Sequence, residues 1–174
     1  MNPSHVVARS RRNAVPALLA CLLVALPAAA QHAHGDSARP AAPTAAVSLA
    51  LDPASLARVP REPIEASAHG KALHCEGRRL DALLRRAGAM PEGRLPGPLL
   101  ARYVRIDARD GYRAVYSLAE LDPGTGNRPV YLVDRCNDEP LDEQDGPLRL
   151  IAPQDVRPAR WVRQVEAITV EDAK

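Results

Sequence analysis

YVRIDARDGYRAVYSLAE, residues 103–120, contains the clearest local pattern in this chain of 174 residues. Apolar and polar residues alternate over residues 103–108, which predicts a half-buried strand. Asp110-Gly111 predicts a tight hairpin turn, because such turns require residues that accept positive φ angles, and residues 112–116 would form the returning strand. Ser117 and Glu120 have the spacing of a capping box, so a short helical turn should follow.

The rest of the domain has the same character on both sides of this hairpin. Leu80, Leu83, Leu84 and Ala87 form one apolar stripe between Gly77 and a stop at Gly88, which predicts the main helix. Further strands are predicted at residues 47–51, 63–68, 72–76, 130–133, 148–152 and 165–170. The fold class is therefore α+β, a mainly antiparallel or mixed sheet with one main helix.

The first thirty residues have the pattern of a signal peptide. Arg9, Arg11 and Arg12 precede an apolar stretch over residues 14–26, and small residues favour cleavage after Ala30. The apolar stretch is too short for a membrane span. Arg11-Arg12 also fits a twin-arginine signal, and Cys21 fits a lipoprotein signal less well. We expect a periplasmic or secreted protein with a flexible linker at residues 31–46 and one domain at 47–174.

The charge of the chain argues against nucleic acid as a partner. The predicted signal peptide carries three of the 23 basic residues and none of the 21 acidic residues. The remainder has 20 basic and 21 acidic residues, so its net charge is −1. A domain of that charge has no electrostatic footprint for a phosphate backbone.

Four segments in this order resemble the molybdopterin-binding oxidoreductase domain of sulfite oxidase and related bacterial enzymes. They are CEGRRLDALL at 75–84, DGY with SLAE between 110 and 120, NDEPL at 137–141, and GPLRLIAP with RWV between 146 and 162. The resemblance covers approximately residues 62–171. It implies the sulfite-oxidase molybdopterin-domain fold, a molybdenum–pterin cofactor, and oxygen-atom or electron transfer with a redox partner protein.

The resemblance also implies which side chains meet the cofactor or another small anionic ligand. Arg149, Arg160 and Arg163 lie in the matching carboxy-terminal segments, and guanidinium groups suit a phosphate. His69 and Arg109 lie at turns that could face the same edge of the sheet. No residue pattern identifies a catalytic residue.

The cysteines depart from the family pattern. Active family members bind molybdenum through a thiolate of an earlier loop, whereas Cys75 occupies an aromatic position of a later segment. The sequence HCEGRR nevertheless resembles the CAGNRR of sulfite oxidase, so Cys75 as metal ligand is one alternative. A disulfide with Cys136, or two buried thiols, is the other. A second functional hypothesis therefore follows: a non-catalytic, exported binding module of the same fold, without the metal-ligating loop. A purely structural exported domain is the third.

Overall fold

The structure is a computed structural model that describes residues 45–173. Its strands form two antiparallel sheets. The predicted signal peptide and residues 31–44 of the predicted linker lie outside the described residues. The strands are β1 (Val47–Ser48), β2 (Glu62–Ala68), β3 (Lys71–Arg79), β4 (Arg102–Ala108), β5 (Arg113–Ser117), β6 (Tyr131–Cys136), β7 (Glu139–Pro140), β8 (Arg149–Ile151) and β9 (Val165–Asp172).

One sheet has the strand order β1-β9-β4-β5, and the other has the order β2-β3-β6-β7 with β8 also paired to β6. The helices are α1 (Pro53–Leu56), α2 (Leu80–Arg86) and α3 (Leu118–Leu121), and 3₁₀ turns occupy Gly97–Ala101 and Pro158–Arg160. The predicted α+β class, with mostly antiparallel strands and one main helix, is confirmed. No helix within residues 45–173 has the length and apolar character needed to cross a membrane.

The hairpin and the cap predicted from residues 103–120 are both present. Gly111 has a φ of 85°, and Asp110 Oδ1 accepts a hydrogen bond of 2.9 Å from the Tyr112 N–H. Ser117 caps α3 by accepting from the Ala119 N–H at 3.2 Å, and Glu120 accepts from the Ser117 N–H at 2.9 Å. These local bonds fix the direction in which the chain leaves β5.

The core lies on the inner faces of the two sheets and under α2. Val104 and Ile106 of β4 and Ile168 of β9 are fully buried, as are Leu80 and Leu84 of α2. Burying each such side chain contributes about 1.5–3 kcal/mol, and these five belong to a larger buried core that stabilises the domain. Because the strand period places alternate residues on opposite faces, the outer face of β4 carries Tyr103, Arg105 and Asp107.

The strand β3 is longer than the sequence predicts, because residues 77–79 continue it and α2 begins only at Leu80. Arg78 is consequently not a surface residue of the helix but is 7% exposed. Its guanidinium lies 3.2 Å from Asp134 on β6, and its Nε donates to the Val59 carbonyl at 3.1 Å. A buried guanidinium requires such partners, and the adjacent strand supplies one of them.

A disulfide joins Cys75 of β3 to Cys136 of β6, which are directly paired across the two strands. The hypothesis that Cys75 ligates a metal is therefore wrong for this structure, because metal binding requires a free thiolate. Of the two alternatives left open by the sequence, the disulfide is the one observed.

Candidate functional site

The described residues enclose an open cleft of about 690 Å³. Four connections that are distant in sequence surround it: the β2–β3 turn, the β4–β5 turn, residues 142–145 after β7, and residues 158–163 before β9. A cleft of this size accommodates a small molecule. It brings together three of the five residues predicted to bind a ligand, which are His69, Arg149 and Arg163.

Arg149 lies at one wall of the cleft, where β8 positions it. Its Nη1 donates to Asp145 Oδ2 at 2.5 Å, and its guanidinium carbon lies 5.7 Å from the ring centroid of Trp161. The side chain is 13% exposed, and its Nε is buried without a hydrogen-bond partner among the described residues. A buried donor without an acceptor costs about 1–3 kcal/mol, so the wall retains unused hydrogen-bonding capacity.

Arg163 is the more accessible of the two cleft arginines. Its side chain is 58% exposed, and its Nε lies 3.9 Å from Asp145 Oδ1, which is too long for a direct hydrogen bond. Asp145 thus lies between the two guanidinium groups and orients Arg149, while Arg163 keeps its donors for solvent or a ligand.

Trp161 forms part of the same wall and is 6% exposed. Its indole N–H donates to the Ala152 carbonyl at 2.9 Å, which fixes the ring beside Arg149. The ring therefore serves both as a core anchor and as a lining residue of the cleft. It is also the only tryptophan of the chain, so its fluorescence reports on this cleft alone.

Arg160, predicted as a ligand-binding residue, is not part of the cleft lining. Its guanidinium forms a two-pronged contact with Asp155 at 3.0 and 2.8 Å, and it also donates to Glu120 at 3.2 Å. The guanidinium lies 4.3 Å from the centroid of the Tyr116 ring, whose hydroxyl donates to the Arg160 carbonyl at 2.8 Å. This side chain therefore stabilises the 153–160 loop against α3 and β5.

The pKa values of this cluster are consistent with a structural role. The hydrogen bonds that Asp155 accepts from Arg160 raise the pKa of this guanidinium above its ordinary value, despite an opposing effect of burial. Burial raises the pKa of the Tyr116 phenol, and the charge of Arg160 only partly opposes that shift. The phenol therefore stays protonated at neutral pH and keeps donating its hydrogen bond.

Arg109 also lies outside the cleft lining. It belongs to the β4–β5 turn, and its backbone N–H donates to the Gln164 carbonyl at 3.0 Å. His69, by contrast, lies at the β2–β3 turn with a φ of 51° and lines the cleft together with Lys71. Lys71, two residues after His69 and the first residue of β3, thus also belongs to the site.

The sequence did not identify Lys71, Asp142 or Asp145 as site residues. Lys71 had one available signal, since it and Lys174 are the only lysines in a chain rich in arginine. The sequence carried no such signal for Asp142 or Asp145. Asp142 resembles an ordinary turn residue, because its Oδ1 accepts from the backbone N–H groups of Gln144 and Asp145.

The donor set of the site does not fit molybdenum. Cys75 and Cys136, the two cysteines within the described range, are joined to each other, so neither offers a thiolate. Within residues 45–173 no group of three or more histidine, cysteine or acidic side chains is arranged to hold a metal ion. The basic residues and the cavity suit a phosphate-bearing organic ligand better than a metal centre.

Two comparisons with known proteins give no relative from which to assign a function. No protein-family model matches the chain, and no curated protein matches it significantly.

Proposed function

We propose that this chain is an exported, non-catalytic binding module that holds a small ligand with an anionic group in the cleft. The observation that carries the proposal is the presence of Lys71, Arg149 and Arg163 in the lining of one cavity of about 690 Å³. Guanidinium groups recognise carboxylate and phosphate oxygens through parallel hydrogen bonds, and an ammonium group adds a compact charge.

Arg149 and Arg163 have different parts in this proposal. Arg149 is held by Asp145 and by its position beside Trp161, so its orientation is set before a ligand arrives. Arg163 is more than half exposed and makes only the long contact to Asp145, so it can close on a ligand at little cost to the fold. Because Arg149 is already oriented, its contact with a ligand costs little ordering entropy.

The disulfide supports export. Disulfides form and persist in oxidising compartments such as the bacterial periplasm and the extracellular space. The bond between Cys75 and Cys136 therefore agrees with the signal peptide predicted at residues 1–30, which lies outside the described range.

Replacing Arg163 with alanine tests the binding function. We expect the affinity for ethyl phosphate to fall about tenfold, because a charge-assisted hydrogen bond contributes about 1.5–3 kcal/mol, partly offset here by solvent exposure. The thermal midpoint should change little, since the side chain is 58% exposed. Titration of the full chain, followed by Trp161 fluorescence, measures both the binding and its loss.

The matched control is Arg94→Ala, which removes another exposed arginine that does not line the cleft. It should bind ethyl phosphate like the unchanged protein. Equal losses in both variants would mean that only net charge matters. No saturable response of the unchanged protein to any of ethyl phosphate, propionate, O-phosphoethanolamine and β-alanine would overturn the proposal.

A second candidate function is a molybdenum–pterin oxidoreductase of the sulfite-oxidase type. One observation favours it: Arg149 and Arg163, which the resemblance assigns to the cofactor, line the same cavity as His69 of the β2–β3 turn. The described residues offer no free thiolate to ligate the molybdenum of that cofactor, so this candidate ranks second. The likeness of the chain to that family is likewise a proposal, supported by the order of its four matching segments.

Metal analysis separates the two candidates. For the binding module we expect protein purified from cells that make the molybdenum cofactor to contain less than about one molybdenum per ten chains, because no thiolate is available to coordinate it. Stoichiometric molybdenum, with pterin fluorescence after release by acid, would instead establish the oxidoreductase. A known molybdenum enzyme prepared from the same cells is the positive control.

A further inference from the structure

The fixed charges of the cleft cancel. The lining contains three cationic side chains, Lys71, Arg149 and Arg163, and three carboxylates, Asp110, Asp142 and Asp145. The formal charges of these six side chains therefore sum to zero. A cleft built only to attract an anion would show an excess of positive charge.

The charges are also distributed unevenly between paired and unpaired groups. Asp145 forms ion pairs with both arginines, at 2.5 Å from Arg149 and 3.9 Å from Arg163. Lys71, Asp110 and Asp142 form no ion pair with any residue of the described range. One unpaired cation and two unpaired carboxylates therefore border the same cavity.

Each unpaired carboxylate uses one oxygen to hold its own turn. Asp110 Oδ1 accepts from the Tyr112 N–H at 2.9 Å, and Asp142 Oδ1 accepts from the N–H groups of Gln144 and Asp145 at 3.0 and 2.8 Å. Their second oxygens have no hydrogen-bond partner within residues 45–173. Asparagine would keep both turns and remove both charges, so the turn role and the charge can be separated.

From this arrangement we infer that the ligand carries a cationic group in addition to its anionic group, which makes it a small dipolar molecule. Its oxyanion meets Lys71 and Arg163, and its ammonium group meets Asp110 and Asp142. An anion without such a cation would be placed near carboxylates that nothing neutralises. This inference rests on the proposed binding function and names the class of ligand for the same cleft.

Two pairs of compounds that differ only in the amine test the inference. O-phosphoethanolamine is compared with ethyl phosphate, and β-alanine with propionate, each titrated into the full chain with Trp161 fluorescence as the readout. In at least one pair the compound with the amine should bind ten or more times more tightly. The double variant Asp110→Asn, Asp142→Asn should reduce that advantage to less than threefold, because both turns remain and both charges are lost.

The control variant Glu92→Gln changes one exposed carboxylate that does not line the cleft, and it should keep the full advantage of the amine. Equal or tighter binding of ethyl phosphate and propionate would overturn the dipolar ligand and leave the proposed binding function intact. An amine advantage that survives in the double variant would also overturn it. Absence of binding by all four compounds would remove the binding function itself, and the inference with it.

Discussion

Replacing Cys75 and Cys136 together with alanine is expected to lower the free energy of unfolding by about 4 kcal/mol. The bond closes a loop between residues 61 positions apart, and loop-closure entropy for that length accounts for most of the expected loss. For a domain of this size the thermal midpoint should fall by about 10–15 °C. Thermal unfolding followed by circular dichroism measures the change.

The disulfide has this effect because of where it lies in the sheet. It joins β3 and β6 at one end of their pairing, where Cys75 and Cys136 are opposite each other. Only three residues separate Cys75 from Lys71, the first residue of β3, which lines the cleft. The chain beyond Cys136 runs through β7 into residues 142–145, which also contribute to the lining of the cleft. Loss of the bond should therefore weaken ligand binding as well as the fold.

The unchanged protein treated with a reductant should reproduce the loss, and the double variant should be indifferent to the same reductant. That second measurement is the control for effects of the reductant unrelated to the disulfide. An equal thermal midpoint for the oxidised and reduced protein would contradict the prediction, because it would mean that the bond constrains nothing in the unfolded chain.

Local chemistry explains which parts of the fold the sequence could predict. The hairpin at Asp110-Gly111 and the capping box at Ser117 depend on residues within four positions of one another, so their pattern carries the structure. The length of β3, by contrast, depends on a neighbouring strand that is distant in sequence. Gly77 and Arg78 look like the approach to a helix, and only the neighbouring strand β6 makes them part of a sheet.

The site shows the same difference between what local sequence predicts and what distant contacts determine. Arg149 and Arg163 could be singled out by their chemistry, but their common partner Asp145 could not, because pairing depends on how distant loops meet. Arg160 has the same guanidinium group, but its hydrogen bonds are already made within the protein. Asp155 and Glu120 engage its guanidinium, and the sequence assigned Glu120 only its capping role. Residue type thus predicts which groups can bind a ligand, whereas tertiary contacts determine which remain available.

Replacing Gly77 with alanine is expected to destabilise the domain by about 3 kcal/mol, near the upper end of the usual cost of overpacking. A Cβ atom at this position would lie 2.6 Å from the Leu132 carbonyl oxygen and 2.6 Å from Val133 Cγ1 on β6. The carbonyl belongs to the paired strand, so it cannot move aside without disturbing the ladder. The register between β3 and β6 already shifts at Glu76 and Gly77, which places the two backbones unusually close.

Gly93→Ala is the matched control for this change. A Cβ atom on Gly93 would meet nothing within 4 Å, and its backbone does not require a positive φ, so the free energy of unfolding should stay within about 0.5 kcal/mol. Chemical denaturation of the two variants and the unchanged protein gives the comparison. Equal stability of Gly77→Ala and Gly93→Ala would contradict the close approach of β3 and β6. A selective loss at Gly77 would instead establish that the absent side chain, and not the approach to a helix, is the reason for glycine at this position.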